Sequence, residues 1–350
     1  MALLWIEGFE TFGAIGNNIA ALLVRKYGAP LDVSAGGCYL TAGRFFGAAA
    51  QLRTTAPALS FSTPVFTPVT TIIVGCAIKV DSISSPTDLM RFYEGESVYH
   101  VGLQIVSSGV IRLNCAGTTL PGESPANTIA AGQWYCVEVK VTIGDSDGAY
   151  EVRVNGTTVA SASGIDTRNS GSGLIDRVQF RGWYGSTASI YVTFDDVYVL
   201  DTTGTDNNTF LGSQIVEVVF PNSNAQSNWS PSTGTSNAAC VDENPSNDDT
   251  DYVYSTTVGN KDLYGVTSCT RINANIKGVQ LNADARVTDT TPQGLRPLAK
   301  SGASETSGGS YTVTSTGYKV FPVLAQYNPA TGALWTPAEI AAMQIGIEHV

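Results

Sequence analysis

The chain holds 350 residues with a net charge of −11, and only 14% of its side chains are charged, where an ordinary soluble protein has about 25%. At about 150 residues per domain, that length predicts two domains, each long enough to bury a core without a metal or disulfide scaffold. The acidic excess argues against nucleic acid, whose binding needs a basic face that releases counterions, and against attraction to anionic lipid.

His100 and His349 are the only histidines, which removes most zinc sites and His-based hydrolase mechanisms. No apolar run approaches the roughly 18 residues of a membrane helix, so no membrane insertion is expected. Residues 1–9 are apolar but lack a basic start and carry Glu7, which reads as a strand and not a signal peptide. With no export signal in view, the expectation is folding in a reducing cytosol. Cys38, Cys76, Cys115, Cys136, Cys240 and Cys269, which contain no Cys-x-x-Cys pair, are then expected as thiols.

In chain order, residues 18–27 form a first helix candidate. Two-residue alternation follows: Ile72, Val74, Cys76, Ile78 and Val80 share one face, as do Val101, Leu103 and Ile105, and then Ile111, Leu113 and Cys115. The clearest unit is residues 134–160. Tyr135, Val137, Val139, Val141 and Ile143 point one way, with Cys136, Glu138 and Lys140 opposite. Asp145-Ser146-Asp147-Gly148 turns the chain, without the third acidic ligand or closing Glu that a calcium loop needs. Asn155-Gly156, after Tyr150, Val152 and Val154, is a strong hairpin signal because both residues tolerate positive φ. Cys136 on the outward face calls for a covering loop or a neighbouring subunit, or for an inter-subunit disulfide formed after release.

Residues 190–201 make a long strand interrupted by Asp195-Asp196. Adjacent residues of a strand face opposite ways, so this pair does not supply the two carboxylates, about 5–10 Å apart, of a glycosidase. It reads as a bulge or a hydrogen-bond anchor for neighbouring loops. The domain boundary is placed near residues 201–208, giving domains 1–203 and 204–350. Residues 206–251 then loosen into Asn, Ser, Thr, Asp and Pro, with one apolar strand at 215–220. Further strands are expected at 252–255, 276–287, 311–314 and 320–324, and a mobile or partner-ordered loop at 301–310. Thr336-Pro337-Ala338-Glu339 is a capping box opening a helix that packs Ile340 and Met343 inward before Gly346, with Ile345 and Ile347 starting a final strand. Many short strands, little helix and no internal repeat predict an all-β chain: two β-sandwich domains and one short C-terminal helix.

Chemistry is sparse. No Gly-x-Ser-x-Gly elbow surrounds a serine and no carboxylates alternate along one strand, so no catalytic residue, no cofactor and no enzyme is expected. The run Asn247-Asp248-Asp249-Thr250-Asp251, behind Asp242 and Glu243, offers Asp248, Asp249 and Asp251 as calcium candidates. The missing glycine and the lack of alternating ligands favour a solvated or subunit-facing loop. Sugar stacking needs aromatic faces with polar edges. Trp183 and Tyr184, between Gly182 and Gly185, have that character, and Trp229 sits in a polar loop; packing anchors are the plainer reading of all three.

Residues 134–160 and the segment Phe194-Asp195-Asp196-Val197-Tyr198-Val199 resemble the concanavalin A-like lectin and laminin-G jelly roll, over about residues 1–203. Glu7-Gly8-Phe9-Glu10 with Phe12 is similar to the first strand of its phage versions. Residues 194–350 resemble a family of tailed-bacteriophage virion structural proteins. The motifs are Asp201-Thr202-Thr203-Gly204, Asn207-Asn208-Thr209-Phe210-Leu211-Gly212, Trp229-Ser230-Pro231-Ser232-Thr233-Gly234, Val241-Asp242-Glu243, the acidic run ending in Tyr252-Val253, Lys261-Asp262-Leu263-Tyr264, and Asn328-Pro329-Ala330-Thr331-Gly332 with Trp335-Thr336.

The resemblance implies a non-enzymatic structural component of a phage particle, assembled in the bacterial host cytoplasm and located in the virion. Tail tip, baseplate or fibre comes first, capsid decoration (cement) or head fibre second, and a glycan-binding host-receptor module third. The expected partners are other virion structural proteins and copies of the chain in a homotrimer or higher oligomer, through residues 221–251 and 301–310, with a host surface glycan as a further partner. The resemblance carries no catalytic residues and no sugar-binding set.

Overall fold

Thr71–Val80, the strand with the longest apolar alternation, lies in the middle of the largest sheet among the described residues. The computed structural model describes residues 2–28, 37–54, 58–184, 190–306 and 308–350; side chains at 54, 58, 183 and 184 also fall outside the described part. The chain divides into two units, Met1–Val216 and Glu217–Val350.

The first unit contains β1 (Leu3–Glu7), α1 (Ala20–Tyr27), β2 (Cys38–Ala42), β3 (Ala48–Thr54), β4 (Ala58–Ser62), β5 (Thr71–Val80), β6 (Thr87–Glu94), β7 (Val98–Val106), β8 (Val110–Cys115), β9 (Thr118–Thr119), β10 (Trp134–Thr142), β11 (Gly148–Val154), β12 (Thr157–Ile165), β13 (Arg177–Tyr184) and β14 (Ile190–Leu200). One sheet runs β12-β11-β10-β5-β14-β3-β2 with β1 against β14, and the other β4-β13-β6-β7-β8-β9. Directly opposed residues of antiparallel strands share a face, so register shows how the two sheets close on each other. Val152, Val139, Val74 and Val199 form one row of the larger sheet, and Phe61, Phe180, Met90, Leu103 and Leu113 one row of the smaller. Every one of these side chains lies in the same buried core. Each is worth about 1.5–3 kcal/mol by burial, which is why two-residue alternation dictates this architecture. The fold is an all-β jelly-roll sandwich. Asn155 and Gly156 take φ of 50° and 82°, as a tight hairpin demands.

The outer face of the larger sheet is covered by the unit's own chain. Glu138, Gly75 and Tyr198 are opposed across β10, β5 and β14. A Cβ at Gly75 would fall 2.1 Å from the Tyr198 ring, so only glycine lets that ring cross to Glu138. Tyr198 donates a hydrogen bond to Glu138, and the backbone N–H groups of Gly212 and Leu211 donate to Glu138 Oε1 (2.8 Å) and Tyr198 Oη (3.3 Å). Residues 201–216 thus form a strap lying back on the first unit. Compact packing divides at 216/217, whereas the sequence pattern breaks near 204. Residues 215–220 are not the expected strand. Val216 N–H is captured by Asp196 Oδ1 at 2.8 Å, and pairing starts only at Pro221.

The second unit holds β15 (Pro221–Ser227), β16 (Ser230–Pro231), β17 (Val253–Tyr254), β18 (Lys261–Val266), β19 (Val279–Ala285), β20 (Gln293–Ser301), β21 (Ser304–Glu305), β22 (Tyr311–Val313), β23 (Lys319–Ala325), α2 (Pro337–Ala342) and β24 (Gln344–His349). Its main sheet runs β15-β18-β24-β20-β21 with β22 on β20, beside the pairs β16-β17 and β19-β23. Val266, Leu281, Ala299, Val323, Trp335, Ile340 and Met343 make its core. The capping box is present: Glu339 N–H donates to Thr336 Oγ1 (3.3 Å) and Thr336 N–H to Glu339 Oε2 (2.8 Å). Part of the loop expected at 301–310 is the hairpin between β20 and β21; Ser307 lies outside the described residues. Among the described residues no helix is long and apolar enough to cross a membrane.

Candidate functional site

The face of the smaller sheet turned away from the core is polar on five adjacent strands. Its cross-strand rows follow from the same register as the core rows. Ser62, Gln179, Arg91, Gly102 and Asn114 form one row. Ser60 opposes Arg181 in the next, and past a bulge in β6 that row continues as Asp88, Gln104 and Arg112. Arg177, Tyr93 and Tyr99 make a third. Gly102 leaves a gap in the first row over which the Asn114 amide leans, donating to Gly102 O at 3.3 Å.

These side chains are held before any ligand arrives. Asp88 is 0% exposed and is the hub. It accepts from Gln104 Nε2 (2.6 Å) and from Arg91 Nε (3.0 Å) and Nη2 (2.6 Å), with Arg181 Nε at 3.9 Å. Arg112 Nε donates to Gln104 Oε1 at 3.0 Å, and Arg181 donates to Gln179. The Arg91 guanidinium lies 4.3 Å from the centroid of the Tyr99 ring, with Tyr93 5.9 Å from Tyr99. Burying such a carboxylate costs desolvation that its arginine partners offset, so the network contributes orientation more than stability. The buried Ser60 hydroxyl has no hydrogen-bond partner among the described residues. Arg91, Tyr93, Tyr99, Gln104 and Arg112 keep contact with solvent.

Bases are scarce here. Desolvation raises the Tyr99 phenol, with Arg91 pulling the other way. His100 is buried and engaged at both nitrogens, with Glu94 Oε2 3.2 Å from Nε2 and the Asn169 N–H donating to Nδ1 at 3.3 Å. Glu94 is held at about 2 by hydrogen bonds led by the Ser172 N–H, which turn it toward that loop.

A second polar cluster sits at the bulge of β14. The pairing register shifts after Asp195, and Asp196 takes φ of 51°. Asp195 Oδ2 accepts from Arg44 N–H (2.7 Å), and Asp196 Oδ2 from Arg44 Nη2 (2.9 Å). These carboxylates anchor a loop and the strap. With Glu10, Phe45, Phe46, Ile215 and Val216 they line a small recess. Burial first and the neighbouring carboxylates second push Glu10 up to about 9 and Asp195 to about 7.

The residues singled out in the sequence fall elsewhere, except one pair. Trp183 and Tyr184 are on β13, opposite Asp88 and Thr87, with side chains outside the described part. Trp229 packs on the cluster of Val287, Leu295 and Val313 and donates from Nε1 to Asn260 O at 3.0 Å, as an anchor does. Asp248, Asp249 and Asp251 do not converge. Asp249 accepts from Arg286 Nη2 (2.8 Å) and Tyr318 Oη (2.9 Å), and Asp251 from Asn247 Nδ2 (2.5 Å). Among the described residues no three His, Cys, Asp or Glu are placed to hold a metal ion. Cys136 is buried on the face that the strap crosses, and desolvation pushes its thiol up to about 11, so it is not presented for an inter-subunit disulfide. Asp88, Arg91, Gln104, Arg112 and Arg181 carry no local motif in the sequence and come together only through cross-strand register. Their signal was the polar half of the same alternation that located the core.

No family model matches the chain, and no curated protein matches it. It is similar in structure to alginate lyase Aly36B, at 17% identity and a TM-score of 0.41, over 57% of this chain and 96% of that one. It is also similar to Cellulose induced protein, Cip1 (18%, TM-score 0.43, 57% and 100%). A third is an endo-beta-1,4-glucuronan lyase from the fungus Trichoderma reesei (14%, TM-score 0.38, 50% and 93%). Likeness at this level speaks to the sandwich fold alone. The expectation of a non-enzymatic structural component of a phage particle is corrected by this outcome: the similar structures include polysaccharide lyases, and nothing in the comparisons bears on a virion family.

Proposed function

We propose that the first unit binds a saccharide chain across the outer face of its smaller sheet, without cleaving it. The observation that carries this reading is the set of three polar rows on β4, β13, β6, β7 and β8, cross-linked through buried Asp88, from which Arg91, Tyr93, Tyr99, Gln104 and Arg112 meet solvent. Sugar hydroxyls need donors and acceptors in fixed positions. Strand-borne Gln104, Arg91 and Arg112, which keep contact with solvent, supply them with little rotamer entropy left to lose. Tyr93 and Tyr99 add ring faces at one end. Cleavage needs a base near the operating pH. On this face Asp88 is committed to Arg91 and Gln104, His100 is engaged at both nitrogens, and the Tyr99 phenol is raised.

Affinity electrophoresis of the full chain against a panel of soluble polysaccharides tests the reading, with alginate and glucuronan, the polymers named for two of the similar structures, beside neutral glucans. Retardation on at least one polymer is expected. Gln104→Ala should weaken it about tenfold, equivalent to about 1.4 kcal/mol. Retardation by none of them overturns the proposal, and shortening of the polymer during the run overturns its non-cleaving part.

A further inference from the structure

We infer that the saccharide taken by this face is anionic, bearing carboxylate or sulfate groups along its length, and that Arg91 and Arg112 meet those groups. The inference rests on the saccharide-binding reading above and adds the class of chain.

The charge at the middle of the face carries it. The chain as a whole is at −11, yet Arg91, Arg112 and Arg181 stand here around a single carboxylate, Asp88. Asp88 is 0% exposed, while the side chains of Arg91 and Arg112 are 19% and 29% exposed, so at the middle of the face guanidiniums and not the carboxylate meet solvent. The acidic groups at the rim lower this charge, and none of them takes a hydrogen bond from Arg112. Glu94 is turned to the Ser172 loop, and Asp176 accepts from Gly95 N–H at 3.0 Å. Glu123 comes within 3.9 Å of Arg112, too far for a hydrogen bond, and is itself 43% exposed.

Orientation supports the same class. Arg91 is tied to Asp88 and stacked on Tyr99, and Arg112 is tied to Gln104, so both planar guanidiniums are fixed. A fixed guanidinium gains charge-assisted hydrogen bonds from a carboxylate or sulfate, and less from a neutral hydroxyl. An anion arriving at Arg112 displaces the loose Glu123 contact.

The test measures binding of the full chain to polygalacturonate, its fully methyl-esterified form, dextran sulfate and dextran, between 50 and about 300 mM salt, where screening acts on charge pairs. Polygalacturonate bound at least tenfold more tightly than its ester, weakening with salt, supports a carboxylate chain. Dextran sulfate bound in preference to dextran, with no binding to polygalacturonate, supports a sulfated one. Arg112→Gln should lower affinity for the anionic polymer about fivefold or more, and Glu123→Gln should raise it about twofold. Arg112 is partly exposed, so its variant tests the idea even where Arg91→Gln fails to fold. Equal affinity for charged and neutral forms overturns the class and leaves the face a saccharide site. Binding to no polymer overturns both readings. A single-stranded oligonucleotide competing as well as polygalacturonate overturns the inference in favour of general polyanion attraction.

Discussion

The two outer faces of the first unit start from the same strand chemistry and end differently. On the larger sheet Glu138 and Tyr198 cross Gly75 and are sealed by the strap, leaving both buried. On the smaller sheet Asp88, Gln104 and Arg91 cross-link beside Gly102 and keep an edge in water. Both faces satisfy buried polar groups with cross-strand hydrogen bonds, as burial requires. One closes its network with backbone N–H groups of its own chain. The other closes it with guanidiniums, which bring a surplus of charge. A polar face that the chain covers for itself is scaffold, and one that it orders and leaves wet is the face we propose as a site.

Removing the hub breaks this comparison most severely. Asp88→Ala leaves Arg91 and Arg181 beside each other without their buried counter-ion, and uncompensated buried charge costs about 3–5 kcal/mol. Urea unfolding should show that loss, and Asp88→Asn a smaller one, because its single amide oxygen can still accept from Arg91. A loss below about 1 kcal/mol for Asp88→Ala would mean that the network orders nothing.

The end of the strap is sensitive to pH. Glu10, at about 9 against an ordinary 4.5, and Asp195, at about 7 against 3.8, both owe the rise first to burial. Between those values the folded state holds protons that the unfolded chain has released. Stability is therefore full below about pH 4 and falls as pH rises toward 9. Glu10→Gln should flatten the upper part of that decline, between about pH 5 and 9, as read by melting temperature across the range. An unchanged slope would show that Glu10 ionises freely in the fold.

Much of this was legible in residue pattern. Alternation at 72–80 and 134–143 locates the larger sheet and alternation at 101–105 and 111–115 the smaller, the Thr336 capping box locates α2, and Asp195-Asp196 is the bulge and loop anchor that its strand context implies. The strap was not legible, because residues 201–216 have no periodicity and are placed by single hydrogen bonds to Glu138, Asp196 and Arg44. Nor was the polar face. Asp88 and Arg181 lie far apart in the chain and meet only through register, and register depends on irregularities in the β13–β6 and β6–β7 pairings that no local rule announces.

The smallest effect tests the sealed side. Tyr198→Phe removes the donor to Glu138 and the acceptor for Leu211 N–H while keeping the ring over Gly75. Glu138 still accepts from Gly212, so the loss should be that of one or two hydrogen bonds, about 1–2 kcal/mol. The strap should then open locally ahead of the sheet. Amide exchange at residues 211–212 should quicken while β5 and β10 stay protected, and Cys136 should become reactive to a thiol reagent that does not touch it in the intact protein. Saccharide binding, placed on the opposite sheet, should not change. If it falls together with the strap, the two faces are coupled through the core and are not the separate surfaces that their hydrogen bonds describe.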